Sequence, residues 1–459
     1  MDKIFSYIES HKDLFLDQLK EFLSIPSISS QGDHLDDIRA CAQWVAEHMG
    51  AVGLNSIRIF ETGGHPIVYG EWMGAPDGPT ILVYGHYDVQ PVDPLELWSS
   101  PPFEATVRDG NLYARGSADD KGQVFIHLKS IESWMKAGGV LPVNVKMMIE
   151  GEEEIGSGNL VPFLQAHRDL LAADCAVISD TSMFKKGIPS VCYGLRGLAF
   201  TEIEVTGPSR DLHSGAFGGA VHNPIQGLCE LIAGLHDEKG RVAIPGFYDD
   251  VLPLTQAERR AFEALPHSDE EFSRSLGVGT LWGEAGFSTL ERLWARPTLE
   301  CNGIWGGYTG EGAKTVLPSK AFAKISMRLV PAQRPERIAE LFSAHCRTIA
   351  PKTLQVKVRS FDGCEPVITP IESPWIKAAV SALEKGFGIT PVYQREGGSI
   401  PVVAHLQKIL DLDPVLIGFG LPDENAHAPD EHFDLENLFS GMRTIIHFLH
   451  DLSVCRQAS

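Results

Sequence analysis

Four strand-like apolar runs each end in side chains able to hold a metal ion or move a proton. "TILVYG" (80–85) runs into His86 and Asp88, and "VNVKMMIE" (143–150) into Glu153 and Glu154. "CAVIS" (175–179) runs into Asp180, and "PVLIGFG" (414–420) leads to a polar loop holding His427. "ARGSADDKG" (114–122) adds Asp119 and Asp120 just before a helix. Ligands of open α/β sheets bind at the carboxyl ends of the strands, so these groups would converge there. Imidazole and carboxylate donors suit zinc, manganese or cobalt, and nothing in the sequence chooses among the three. The carboxylates outnumber what one ion needs, which points to two ions sharing a bridging aspartate. Such a pair polarises a carbonyl and activates water near neutral pH. A spare glutamate beside it would serve as general base. Asp88, two residues after His86, fits a supporting role, accepting the other ring N–H and fixing the imidazole.

Each piece alone is ordinary. A His-x-Asp pair usually caps or faces water, "ADDKG" could simply place negative charge at a helix N-terminus, and acidic runs are by default solvated turns. Five such coincidences, each at the end of an element, make the metal reading far more specific than any one of them.

The elements that must position these groups alternate strand and helix. Helical spacing covers the first 23 residues up to Pro26, then "HLDDIRACAQWVAEHMGAVG", then "GQVFIHLKSIESWMKAG", with strand runs between. This predicts an α/β catalytic domain with a mostly parallel central sheet. After "YGLRG" (193–197) the rhythm changes. "LAFTEIEVTG" alternates with period two, and the strands "KAFAKISMRLV" and "LQVKVRSF" flank the helix "PERIAELFSAHC". An α+β domain at 198–362, inserted into a discontinuous α/β domain of 1–197 and 363–459, is the expected organisation. The stretch 239–299 is too mixed in polarity to assign.

The 459 residues exceed one ordinary core, consistent with two domains. A net charge of −21 argues against nucleic acid or an anionic membrane as partner. The eight cysteines occur singly, without a CxxC pair, and read as reduced thiols. The N-terminal stretch carries charges throughout and has no apolar core of a signal peptide, and no apolar run approaches the roughly 18 residues of a membrane span. A cytoplasmic location is the expectation. "GGYTGEGAKT" is not a phosphate loop, because Ala313 separates Gly312 from Lys314.

"GHYDVQP", "ARGSADDKG", "IEGEEEIGS", "VISDT", "DLHSGAFGG", "SMRLVP", "GGSIPV" and "ENAHAPDE" occur together in one order. With them the chain resembles the dinuclear metallopeptidases that include carnosine dipeptidase, cytosolic nonspecific dipeptidase, carboxypeptidase G and succinyl-diaminopimelate desuccinylase, and most of all the dipeptidase branch. The resemblance implies two divalent ions, zinc or manganese with cobalt as a further option. One would be held by His86 and Asp180, the other by Glu154 and His427, and Asp119 would bridge them. It implies that Glu153 deprotonates the bridging water, that Asp88 orients His86, and that the Asp119–Asp120 peptide is cis. It makes the insert a lid and dimerisation domain, with His213 reaching the partner's site in a homodimer to stabilise the oxyanion and contact substrate. Arg328, Gly398 and Ser399 would hold the C-terminal carboxylate of a small peptide. Without the resemblance, Arg328 reads as a strand-face ion pair and His213 as a loop histidine. Glu152 has no assigned chemistry: it either faces water or, if buried, raises the pKa of Glu153.

The function expected is hydrolysis of dipeptides or short peptides. An N-acyl amino-acid deacylase using the same chemistry is the nearest alternative. A catalytically silent binding protein is disfavoured, because every ligand position and the base are filled.

Overall fold

The computed structural model describes residues 1–361 and 363–455. The boundary expected at residue 362 and the side chain of Cys455 lie outside the described residues. The chain forms two compact units. The first takes in Met1–Tyr193, Thr369–Gln394 and the chain from His405 onward; the second takes in Gly194–Ile368 and Arg395–Ala404. The short segment Arg395–Ala404, which the sequence reading left with the first unit, joins the second because its side chains bond there. Ser399, for example, accepts from Arg328 and donates to the Arg196 carbonyl.

In the first unit the strands run in the order Asn55–Phe60, Ile67–Trp72, Asn144–Glu150, Thr80–His86, Cys175–Ile178, Asp413–Leu416 and Ser190–Leu195. The four from Asn144–Glu150 to Asp413–Leu416 are mutually parallel, and the flanking ones pair antiparallel. Helices cover both faces, so the central strands need no polar side. All seven residues of Asn144–Glu150 are buried, as are all four of Cys175–Ile178. Lys121–Ser133 is buried along its whole length, and it packs against Asp2–Leu23 and Leu435–Cys455. Its buried Lys121 donates to the carbonyls of Phe22 and Ile25, at and just past the end of the first helix.

The second unit is built on an antiparallel sheet in the order Thr298–Gly306, Lys320–Leu329, Gly197–Thr206, Gln355–Ser360. Along Gly197–Thr206 buried and half-buried positions alternate strictly, the period-two pattern of a sheet with one face on a core. Pro224–Ala233 and Pro335–Ile349 supply that core with Leu228, Leu231, Ile338 and Phe342. The stretch 239–299 contains the short helices Gln256–Glu263, Asp269–Ser275 and Thr289–Trp294. Two of them start on a reciprocal capping box, Thr255 with Glu258 and Ser288 with Glu291.

Candidate metal centre

Because the four central strands are parallel, their carboxyl ends share one edge of the sheet, and the polar residues that follow them meet there. His86 ends one strand, Glu153 and Glu154 sit in a short 3-10 turn three residues past a second, and Asp180 follows a third by two residues. Asp119 comes from the turn before helix Lys121–Ser133, and His427 from the loop after Asp413–Leu416. His427 takes a left-handed backbone, φ +62°, uncommon for a side-chain-bearing residue and the kind of geometry that gathers at binding sites. The Asp119–Asp120 peptide is cis.

Two groups of ligand atoms form, each spanning less than 4.8 Å: His86 with Asp119 and Asp180, and Asp119 with Glu154 and His427. Asp119 belongs to both. Its Oδ1 lies 3.1 Å from His86 Nε2, and its Oδ2 lies 2.9 Å from His427 Nε2. Asp180 Oδ2 is 3.9 Å from His86 Nε2, and Glu154 Oε2 is 3.2 Å from His427 Nε2. Although Asp119 is near, its approach to His86 lacks hydrogen-bond geometry, and the buried Nε2 has no hydrogen-bond partner. A buried ring nitrogen aimed at two carboxylates and bonded to neither is the donor a divalent cation would use.

The electrostatics make the same demand. Burial alone would depress the His86 imidazolium, yet Asp119 and Asp88 hold it well above its ordinary value. Bonds from Asp119 and Glu154 raise His427 to about 10. Burial, then the neighbouring Asp119 carboxylate, pushes Asp180 well above the usual carboxylate range. Burial also raises Glu153 to about 7; His86 opposes it and Asp119, Glu154 and Asp88 add to it. So many carboxylates in one buried cluster call for positive charge between them, and cations can supply it where protons otherwise must. The all-oxygen-and-imidazole donor set fits two borderline divalent ions.

Asp88 is fully buried. His86 Nδ1 is 3.1 Å from the Asp88 carbonyl oxygen and 3.5 Å from its carboxylate Oδ1. The two carboxylate oxygens accept the backbone amides of Glu153 and Glu154, at 3.2 and 3.1 Å. One residue therefore braces the histidine of one group and the turn carrying the glutamates. Gly85 is what lets this strand pass the Asp119–Asp120 turn: a Cβ there would stand 2.7 Å from Asp120 Oδ2 and 2.4 Å from Val124.

Glu152 turns away from Glu153. Its carboxylate accepts the backbone amides of His65 and Asn159 and both contacts of the Asn159 side-chain amide, at 2.9–3.3 Å. It ties the 62–65 loop to the start of helix Leu160–Ala166, and Gly64 leaves it room, since a Cβ there would fall 1.7 Å from Glu152 Oε1. Two residues with no role assigned from sequence also support the site. Glu431, fully buried, accepts Arg115 Nη1 at 2.6 Å and the amides of Gly116, Ala118 and Asp119, and so holds the loop that presents Asp119. Gln90 donates to Glu154 Oε2 at 2.7 Å. Glu431 lies in the same "ENAHAPDE" run as His427, which was its only signal in the sequence.

The remaining expected residues belong to the second unit. His213 caps helix Ser214–Phe217, its Nδ1 accepting the amides of Gly215 and Ala216. A neutral ring so bonded carries its proton on Nε2 and is exposed, free to donate. Arg328 Nη1 donates to Ser399 Oγ at 2.7 Å, and Gly398 has open space where a side chain would stand.

The model of Peptidase family M20/M25/M40 matches residues 82–451. The Cys-Gly metallodipeptidase dug1 of Schizosaccharomyces pombe is 34% identical, over 99% of this chain and 98% of its own. The Beta-Ala-His dipeptidase of Homo sapiens is 32% identical, over 99% and 93%. Among solved structures, an M20 family metallo-carboxypeptidase from Sulfolobus solfataricus superposes with a TM-score of 0.86 at 34% identity, covering 96% of this chain and 99% of that one.

Proposed function

The chain belongs to the Peptidase family M20/M25/M40 and is a metallohydrolase of its dipeptidase branch, and from that premise we propose that it hydrolyses the amide bond of dipeptides and short peptides bearing a free C-terminal carboxylate. The observation that carries this reading is the Asp119 carboxylate, whose two oxygens face two separate ligand groups.

His86, Asp119 and Asp180 would hold one divalent ion and Asp119, Glu154 and His427 the other, zinc or manganese fitting the donors. Two ions so placed would polarise the scissile carbonyl and make a water acidic near neutral pH. Glu153 would take a proton from the attacking water as the water oxygen bonds to the carbonyl carbon. The same carboxyl then gives the proton to the leaving nitrogen as the C–N bond breaks, so the products are a free acid and an amine. Asp88 keeps the His86 ring and the Glu153–Glu154 turn in register. Nε2–H of His213, contributed by the partner in a homodimer, steadies the developing oxyanion. Arg328 and Ser399 take the substrate's C-terminal carboxylate, for which a guanidinium fork is shaped. A cytoplasmic location completes the reading. Among the described residues no helix is long and apolar enough to cross a membrane.

The test is a panel of dipeptides, tripeptides and N-acyl amino acids, assayed after chelation and after add-back of zinc, manganese or cobalt. Dipeptides should be turned over only with metal restored. Turnover confined to the acyl substrates would replace this reading with the deacylase.

A further inference from the structure

Arg196 has no role in the scheme above, yet it occupies an expensive position. It is 9% exposed. Its Nε donates to the Gly397 carbonyl at 3.0 Å, while Nη1 is buried with no hydrogen-bond partner. Burial, and then the like charge of Arg328, lower its pKa to about 10. Holding a carbonyl needs only a neutral donor. The exposed Glu300 carboxylate on the same cavity offsets the desolvation and the repulsion from Arg328 only in part, so a guanidinium used for the carbonyl alone would carry most of that cost.

Both arginines line one cavity of about 380 Å³ in the second unit. The other cations there are committed. Arg296 forks onto Glu284 at 2.7 and 2.9 Å, and Arg292 Nε donates to the Glu284 carbonyl at 3.0 Å. Arg196 and Arg328 are joined instead through Ser399, which accepts from Arg328 Nη1 and donates to the Arg196 carbonyl at 2.5 Å. Gly397 permits this, because a Cβ there would stand 2.8 Å from Arg196 Nη2 and 3.1 Å from the Leu293 carbonyl. Two adjacent guanidinium groups, one with a buried N–H left over, make a site for a single small anion.

We propose that Arg196 is the second guanidinium of the carboxylate subsite, taking one oxygen of the substrate's terminal carboxylate while Arg328 takes the other, with Ser399 tying Arg328 to the Arg196 backbone. This rests on the reading of the substrate given above, and the test separates the two. In the metal-loaded chain, KM and kcat are measured for Ala-Ala, with Ala-Ala amide as substrate or competitive inhibitor, in the wild type, Arg196→Gln and Arg196→Lys. Arg196→Gln keeps a donor for Gly397 and removes the charge. It should raise KM for the free acid roughly 10- to 100-fold, the worth of a hydrogen bond to a charged group, with kcat within about twofold. The constant for the amide should not change, and Arg196→Lys should recover part of the loss. Equal effects on acid and amide, or no effect on either, would each overturn the proposal. If the wild type hydrolyses no dipeptide, calorimetric binding of the same pair decides. Acid preferred over amide, and that preference lost in Arg196→Gln, would keep the subsite while removing the peptidase reading. No preference in the wild type would remove the subsite.

Discussion

Asp88 Oδ1 accepts the backbone amide of Glu153 at 3.2 Å, so the residue whose carbonyl meets the His86 ring also fixes the turn bearing Glu153 and Glu154. Asp88→Asn would keep an oxygen for one of the two amides but turn an NH2 group toward the other, so one of the two anchor points would slip. Metal affinity is expected to fall about 10- to 100-fold, the usual effect of losing a ligand's supporting partner. Titration of the stripped protein with zinc or manganese reads this directly, and affinity equal to wild type would show that Asp88 supports neither group.

Glu153 contributes no atom to either ligand group, although its neighbour Glu154 does. Glu153→Gln is therefore expected to keep its metal content and lose about 10²- to 10⁴-fold in kcat, the span of general acid–base catalysis. Elemental analysis alongside a dipeptide assay separates loss of base from loss of metal. Activity surviving with full metal occupancy would move the base elsewhere.

Glu431 and Arg115 form an ion pair that is almost wholly buried, with side-chain exposures of 0% and 1%. Glu431→Gln leaves the guanidinium unpaired in the interior and weakens three amide contacts of the Asp119 loop. Breaking one partner of such a pair costs roughly 3–5 kcal/mol. Denaturant unfolding should show that loss, and metal binding should weaken with it; a midpoint unchanged from wild type would contradict the assignment.

His127 is buried and bonds Ser179 Oγ at 2.8 Å, and burial lowers its pKa from the ordinary 6.5 to about 3. The folded protein keeps the ring neutral, while the unfolded chain binds a proton below its ordinary pKa. The contribution to stability is complete above pH 6.5 and is lost as pH falls from there toward 3. The loss is on the order of a few kcal/mol. Melting curves across that window should slope less steeply in His127→Gln than in wild type; equal slopes would assign the acid lability to other groups.

What the sequence made legible followed from backbone regularity. Apolar runs ending in His86, Asp180 and the glutamates mark strands, and parallel pairing then brings their ends to one edge without further information. Side chains whose partners are remote in sequence gave no such signal. Glu152 reads as one of three like residues until the 62–65 loop is seen to bond it. Glu431 reads as part of an acidic loop, yet the amides it accepts lie more than 300 residues earlier. In 239–299 the two capping boxes, T-x-x-E and S-x-x-E, were present in the sequence, but the mixed polarity of the helices hid the periodicity that would have drawn attention to them. Arg395–Ala404 joined the second unit through hydrogen bonds that no composition shift announces.

The parallel order of the central strands also sets a sequence of events during synthesis. His86, Asp119 and Asp180 all lie in the first 180 residues, whereas the other group waits for His427. Until Asp413–Leu416 emerges, the strand Cys175–Ile178 that it pairs with presents an unpaired apolar edge. A growing chain could therefore bind one ion long before it can bind two, and it carries an open sheet edge for that whole interval. Open edges of this kind invite pairing with other chains, so the last ligand to arrive follows closely on the closing of this exposed edge.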